Sequence, residues 1–167
     1  MLIHDDLYQV RNVTGDDAEA ILEVYRQCED FLALGTEPTA SMSMVFNDIE
    51  ASQREGRDFR GIYNSSDEMV GIIDFMTCNY DGNPHVALIS LLMIALPFRR
   101  QGTGTKIIEL LERDLKKHYN IITIISAVQV NNLSAQRFWQ KNGYRIVSGP
   151  VLQADKTTVF QLRKDLS

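Results

Sequence analysis

The order of elements along this chain predicts an α/β fold: a mixed, mostly antiparallel twisted sheet with helices on both faces. Three observations carry that expectation. Several segments alternate apolar with polar residues or run apolar almost unbroken, as strands do. Others repeat apolar residues at helical spacing between capping residues. The resulting order, β-α-α-β-β-β-α-β-α-β-β, lacks the strict alternation of an all-parallel sheet. The length of 167 residues suits a single domain over residues 1–167, and 44% apolar with 23% charged residues excludes a disordered chain.

Tyr8 to Val13 alternates and reads as the first strand. Thr14 with Asp17 has the form of a capping box, and Ala18, Ile21, Leu22, Val24 and Tyr25 follow at helical spacing, so one helix is expected from Asp16 to Phe31. Pro38 interrupts the chain before a second helix over Ser41 to Glu55, which Gly56 ends. Phe59–Tyr63 and Met69–Met76 flank the polar turn Asn64-Ser65-Ser66-Asp67 and read as a hairpin. The turn formers from Asn79 to Pro84 precede a long apolar strand, Val86 to Ile94, of the kind covered on both faces. Gly102 to Lys117 is the next helix, with Ile107, Ile108, Leu110, Leu111 and Leu115 on its core side. Lys116, Lys117 and His118 sit at its end, where positive charge suits the helix dipole. Ile121–Val130, a short helix Ser134–Lys141, and strands Tyr144–Val147 and Thr157–Arg163 complete the order.

Several functions are disfavoured. Met1 is followed by no basic start and apolar run, so no signal peptide is expected and the location reads as cytoplasmic. The longest apolar stretch, Leu88 to Leu96, contains Ser90 and is too short to span a membrane. Cys28 and Cys78 lie far apart with no neighbouring histidine, so reduced, packed thiols are expected and no metal site. A net charge of −5 argues against binding nucleic acid and leans towards a cationic partner.

The chemistry concentrates in Leu91 to Gly104, LLMIALPFRRQGTG. A buried strand ends near Ile94, Pro97 turns the chain, and a glycine-spaced loop opens a helix. Glycines at 102 and 104 let the backbone approach a ligand, and the helix start offers free N–H groups and a positive dipole end. Arg99 and Arg100 add charge-assisted contacts to phosphate oxygens. A diphosphate fits such a site. A P-loop does not, since there is no Gly-Lys-Ser/Thr, and the third glycine of a dinucleotide fingerprint is missing. The bland alternative is a loop–helix junction with solvated arginines.

Arg99-Arg100-Gln101-Gly102-Thr103-Gly104 matches the pattern Gln/Arg-x-x-Gly-x-Gly/Ala that follows a strand in the GNAT superfamily of N-acetyltransferases. A second block, VNNLSAQRFWQKNGYRIV from Val130 to Val147, resembles that superfamily's Asn-x-x-Ala, aromatic, Lys-x-Gly-aromatic pattern. Asn132, Ala135, Trp139, Lys141, Gly143 and Tyr144 fill its places in order. The resemblance covers roughly Ile62 to Arg163 and implies a GNAT fold with acetyl-CoA as cosubstrate. It implies that Leu92, Met93 and Ile94 pair their backbone with the pantetheine arm, as an added strand pairs with a sheet edge. It implies further that the main chain of Arg100 to Thr105, including Gln101, Gly102, Thr103 and Gly104, holds the diphosphate. Asn132 would contact the cofactor, cap the following helix, or both.

The match departs at Trp139, where many members carry a tyrosine thought to protonate the leaving thiolate. An indole N–H donates a hydrogen bond but is too weak an acid to give up its proton. Trp139 is therefore either a packing residue beside the thioester or a hydrogen-bond donor. Tyr144 stands where the pattern has a core aromatic and receives no role. Asp74, inside Gly71-Ile72-Ile73-Asp74-Phe75, is the most conspicuous acid near the expected cleft. It is either a general base or a structurally hydrogen-bonded residue. His85 reads as an exposed residue at a strand start.

The function expected is transfer of acetyl from acetyl-CoA to a small-molecule or peptide amine by direct attack in a ternary complex, since no Ser/His/Asp or Cys/His set can be assembled. The competing reading is an acyl-CoA-binding sensor with little turnover. The resemblance implies that the amine acceptor lies in a cleft shaped largely by the first two helices and their loop, Phe31 to Ser43. Oligomeric state is left open by the sequence, a homodimer included.

Overall fold

The computed structural model describes residues 1–167. Eight strands form one sheet: β1 (Ile3–His4), β2 (Tyr8–Asn12), β3 (Asp58–Asn64), β4 (Met69–Met76), β5 (Val86–Ile94), β6 (Thr123–Gln129), β7 (Arg145–Leu152) and β8 (Thr158–Asp165). Their order across the sheet is β1-β2-β3-β4-β5-β6-β8-β7. Every neighbouring pair is antiparallel except β5 with β6. Parallel neighbours cannot be joined by a hairpin, so a crossover helix has to return the chain. That helix is α4 (Thr103–Tyr119), which therefore starts at the carboxyl end of β5.

Helices cover both faces. On one side α4 and α5 (Leu133–Lys141) pack Ile107, Ile108, Leu111 and Trp139 against Ile73, Ile89, Ile124 and Leu162. On the other, α1 (Ala18–Gln27), α2 (Glu29–Leu32) and α3 (Met42–Arg54) bury Ile21, Tyr25 and Val45 against Ile72 and Met93. The mixed sheet with covered faces is the fold class the sequence predicts.

The local differences have physical causes. The expected helix Asp16–Phe31 is three pieces: a 3₁₀ turn at Gly15–Asp17, then α1, then α2 after a break at Cys28. Asp17 still accepts the Thr14 N–H at 2.7 Å, but above a 3₁₀ turn. At the break, the Gln27 carbonyl accepts from Arg99 Nη2 at 3.3 Å, a partner 72 residues away that helical periodicity cannot reveal. Strand β1 is too short to announce itself. Strand β7 runs past Gly149-Pro150, where the sequence ends it at Val147. It is an outermost strand with β8 as its sole neighbour, so a proline costs no second ladder, and the register shifts on both sides of Ser148 absorb the irregularity.

Candidate active site

Strand β5 pairs with β6 from Val86–Thr123 to Ile89–Ser126 and no further. Beyond that point β6 stays with β8 as far as Gln129–Val159, and β5 stays with β4 as far as Ile94–Gly71. The two strands splay, and the last residues of β5 present an edge towards the gap. In β5 the register also slips opposite Asp74 and Phe75, which pair with Leu91 and Ile89 and leave Ser90 as an extra residue. Such a bulge takes main-chain groups out of the ladder.

The splay opens into a cleft of about 980 Å³. Leu92, Met93 and Ile94 line one wall; Asn132, Ala135, Phe138 and Trp139 of the α5 region line the opposite wall. The loop before α4 forms the floor, and Cys28, Phe31 and Leu34 close the side towards α2. Phe31 and Leu34 fall in the stretch Phe31 to Ser43 expected to shape the acceptor cleft, whereas sequence reasoning missed Phe138 and Asn131 as lining residues, which no local signal marks.

At the floor, Arg100 and Gly102 both take left-handed backbone angles, with φ of 59° and 80°. A Cβ on Gly102 would meet nothing within 4 Å, so this backbone faces open space. At Gly104, which also lines the cleft, the missing side chain serves packing as well. A Cβ there would stand 3.0 Å from Phe138 Cε2, so its missing side chain makes room for an aromatic ring of α5. The first α-helical bond of α4 runs from Lys106 N–H to the Gly102 carbonyl at 3.0 Å. The amides of Thr103, Gly104 and Thr105 precede it and have no carbonyl one turn back. They point, with the positive end of a 17-residue helix, into the cleft floor.

The two arginines have separate fates. Arg99 grips Asp30 with a fork of 2.7 and 3.1 Å and donates its Nε–H to the Ile94 carbonyl at 2.7 Å. This pairing holds the Asp30 carboxyl below its ordinary range. Arg99 is thus occupied within the protein, in contrast to the free phosphate ligand that the sequence suggests. Arg100 is exposed, with no ion pair to any carboxylate of the chain. Gln101 donates to the Pro97 carbonyl at 3.1 Å, and the Thr103 hydroxyl shares a 3.0 Å bond with Tyr8. Asn132 caps α5, its Oδ1 accepting the Ala135 N–H at 3.0 Å, while the residue still lines the cleft. Both alternatives for Asn132 are therefore compatible.

Trp139 is 6% exposed and stands edge-on to Phe138 and Tyr144, with ring centroids 5.4 and 4.8 Å apart. The Tyr144 hydroxyl donates to Glu112 at 3.0 Å, and burial with that carboxylate pushes its phenol far up. Asp74 does not line the cleft. It is 3% exposed, and its carboxylate accepts from Ser52 at 2.7 Å and Arg57 Nε at 2.9 Å. Burial raises its carboxyl, and the two donors oppose that rise. His85 is exposed and bonds the Asn120 carbonyl at 3.1 Å. No three His, Cys, Asp or Glu residues converge as metal ligands, and no helix is long and apolar enough to cross a membrane.

A family model described as the acetyltransferase (GNAT) family matches residues 18–144. No curated protein matches the sequence. Among solved structures, the chain is similar to an acetyltransferase from Thermus thermophilus, at 21% identity over 99% of this chain and 100% of that one, with a TM-score of 0.79. It is similar to a Salmonella typhimurium acetyl transferase that modifies the N-terminal serine of ribosomal protein L7/L12, at 16% identity over 100% of both chains and a TM-score of 0.79. It also resembles spermidine N-acetyltransferase from Vibrio cholerae in complex with CoA and spermine, at 14% identity over 96% of each chain and a TM-score of 0.73. At these identities the likeness is one of fold.

Proposed function

Since the chain belongs to the GNAT acetyltransferase family, we propose that it transfers an acetyl group from acetyl-CoA to a primary amine by direct attack in a ternary complex. In this reading the whole chain is one cytoplasmic N-acetyltransferase domain. The observation that carries it is the splay between β5 and β6 opening onto the free amides at the start of α4. A long ligand with an amide-bearing arm at one end and a diphosphate at the other is what that sequence of surfaces fits.

Leu92 to Ile94 would offer strand-like main-chain bonds to the pantetheine arm. The amides from Arg100 to Thr105 would receive the diphosphate, with Arg100 as the free cation and Asn132 supplying its side-chain amide. Main-chain groups freed at the Ser90 bulge would lie where the thioester oxygen gains negative charge, the position at which a fixed donor is most effective. The amine nitrogen attacks the thioester carbon and the carbon–sulfur bond breaks. The proton lost from the nitrogen ends on the CoA sulfur.

An alkylamine must first lose its extra proton, at a cost of roughly 4 kcal/mol near neutrality. Neither Asp74, held by Ser52 and Arg57, nor Tyr144, held by Glu112, is placed to exchange protons with the cleft. Water is the proton carrier in this reading, and the protein catalyses mainly by holding thioester and amine together. A peptide α-amine and a polyamine are the acceptor classes that the similar structures suggest. Release of free CoA in a turnover screen of polyamines, aminoglycosides, amino acids and peptides tests the proposal. Tight acetyl-CoA binding with no release for any amine would favour the sensor reading.

A further inference from the structure

The titratable side chains that line the cleft are Cys28, Asp30, Arg99, Arg100 and Lys141. None of them is free to take a proton from a bound amine. The Cys28 thiol donates to the Ile94 carbonyl at 3.4 Å, and burial pushes it up, so it keeps its own proton. Asp30 has both oxygens in the Arg99 fork, which lowers its affinity for a proton. Arg99, Arg100 and Lys141 are cations. The histidines, His4, His85 and His118, lie outside the cleft. An amine therefore has to arrive neutral. At pH 7 an α-amino group is neutral in roughly one molecule in ten and a lysine-like amine in about one in 2,500. The wall towards α2 adds a second constraint. Phe31 and Leu34 are half-buried there, and Asp30, the one carboxylate lining the cleft, is already taken. A polyamine brings further ammonium groups that call for carboxylates, and the cleft has none to spare.

We propose that the acceptor is the free N-terminus of a peptide whose first residue has an uncharged, apolar side chain, seated against Phe31 and Leu34. The assignment rests on the transferase reading above and narrows it. The neutral α-nitrogen forms its bond to the thioester carbon and the carbon–sulfur bond breaks. The proton released by the nitrogen reaches the CoA sulfur through water. An amine of ordinary α-amino basicity supplies its own neutral form, so the step runs without a protein base. A charged first side chain would instead lose its water to an apolar wall that offers no partner, which is costly.

The test measures acetylation by the wild-type chain of a leucine-led tetrapeptide amide and of the same peptide led by aspartate. Spermidine and an N-acetylated peptide carrying one lysine are the alkylamine probes. At pH 7 kcat/KM for the leucine-led peptide should exceed that for either alkylamine by about tenfold or more, the gain in neutral amine outweighing its lower nucleophilicity. It should rise with pH and level off at the peptide's own amine pKa, about 8. Leading with aspartate should raise KM roughly tenfold. Leu34→Asp should raise KM for the leucine-led peptide and lower it for an arginine-led one, each by about fivefold, with acetyl-CoA affinity and Tm as controls. A leucine-led peptide turned over no better than spermidine, or equal KM for the leucine-led and aspartate-led peptides, would overturn the assignment and leave the transferase reading standing. If wild type binds acetyl-CoA and acetylates none of the probes or the screened amines, the transferase reading fails and this assignment with it.

Discussion

The two flanks of β5 differ in how they treat polar groups. Towards β4 the ladder runs the length of β5, broken at the Ser90 bulge, and buried side chains beneath the helices are matched, Asp74 with Ser52 and Arg57 and Tyr25 with Asp48 at 2.6 Å, although Arg60 Nε on β3 has no partner. Towards β6 the ladder stops at Ile89, and polar groups are left open: the first α4 amides and the exposed Arg100. Satisfied polar groups hold a fold together, whereas unsatisfied ones await a partner from outside. The conspicuous acid of the sequence accordingly belongs to the first flank, and the cleft to the second.

Asp74→Asn puts this division of labour under the greatest stress. Removing one member of a buried ion pair should cost about 3 kcal/mol, or roughly 6 to 12 °C in Tm, with kcat per folded molecule and acetyl-CoA affinity unchanged. A fall in kcat of about 10²-fold at unchanged stability would instead make Asp74 the base. Next, Gly102→Asp should weaken acetyl-CoA binding by roughly 10²-fold, because it sets a carboxylate against the diphosphate. Gly102→Asn is the control, since both side chains tolerate a left-handed backbone and the asparagine carries no charge. Equal affinities of the two variants by calorimetry would remove the phosphate from this loop.

Arg99 and Arg100 separate the two flanks more finely. Arg100→Ala should weaken acetyl-CoA binding by about threefold to tenfold at low salt and less at high salt, as screening predicts. Arg99→Ala should show mainly as lost thermal stability, because it strips the partner from Asp30 and frees two carbonyls. The reverse pattern would exchange their roles. The smallest effect is expected for Trp139→Phe. If the indole only packs against Phe138 and Tyr144, kcat should change by less than about threefold. A larger loss at unchanged Tm would give its N–H a hydrogen bond to the reacting group.

What the sequence made legible was local or periodic. Strands Met69–Met76 and Val86–Ile94 lie where their apolar runs put them, and α4 and α5 begin within one residue of their signals. The glycine-bearing loop that opens α4 was legible because only the backbone is involved. What escaped depends on residues far apart in the chain. Arg99 finds Asp30 across 69 positions, and Gly104 yields to Phe138 on another helix. Cys28 breaks a helix whose spacing continues unbroken in the sequence. Asp74 was visible as an acid in an apolar strand, yet the Ser52 and Arg57 that claim it are brought there only by the packing of α3 and β3.

The start of α4 also bears on how this protein tolerates mutation. The donors it would offer an anion are main-chain amides, present whichever residues occupy positions 103 and 105, and the helix is delivered there because β5 and β6 run parallel. Replacing those side chains leaves the donors in place. An interaction made by a side chain disappears with a single codon. Selection and engineering should therefore find the side-chain walls of the cleft easy to remake, and its main-chain floor hard to lose.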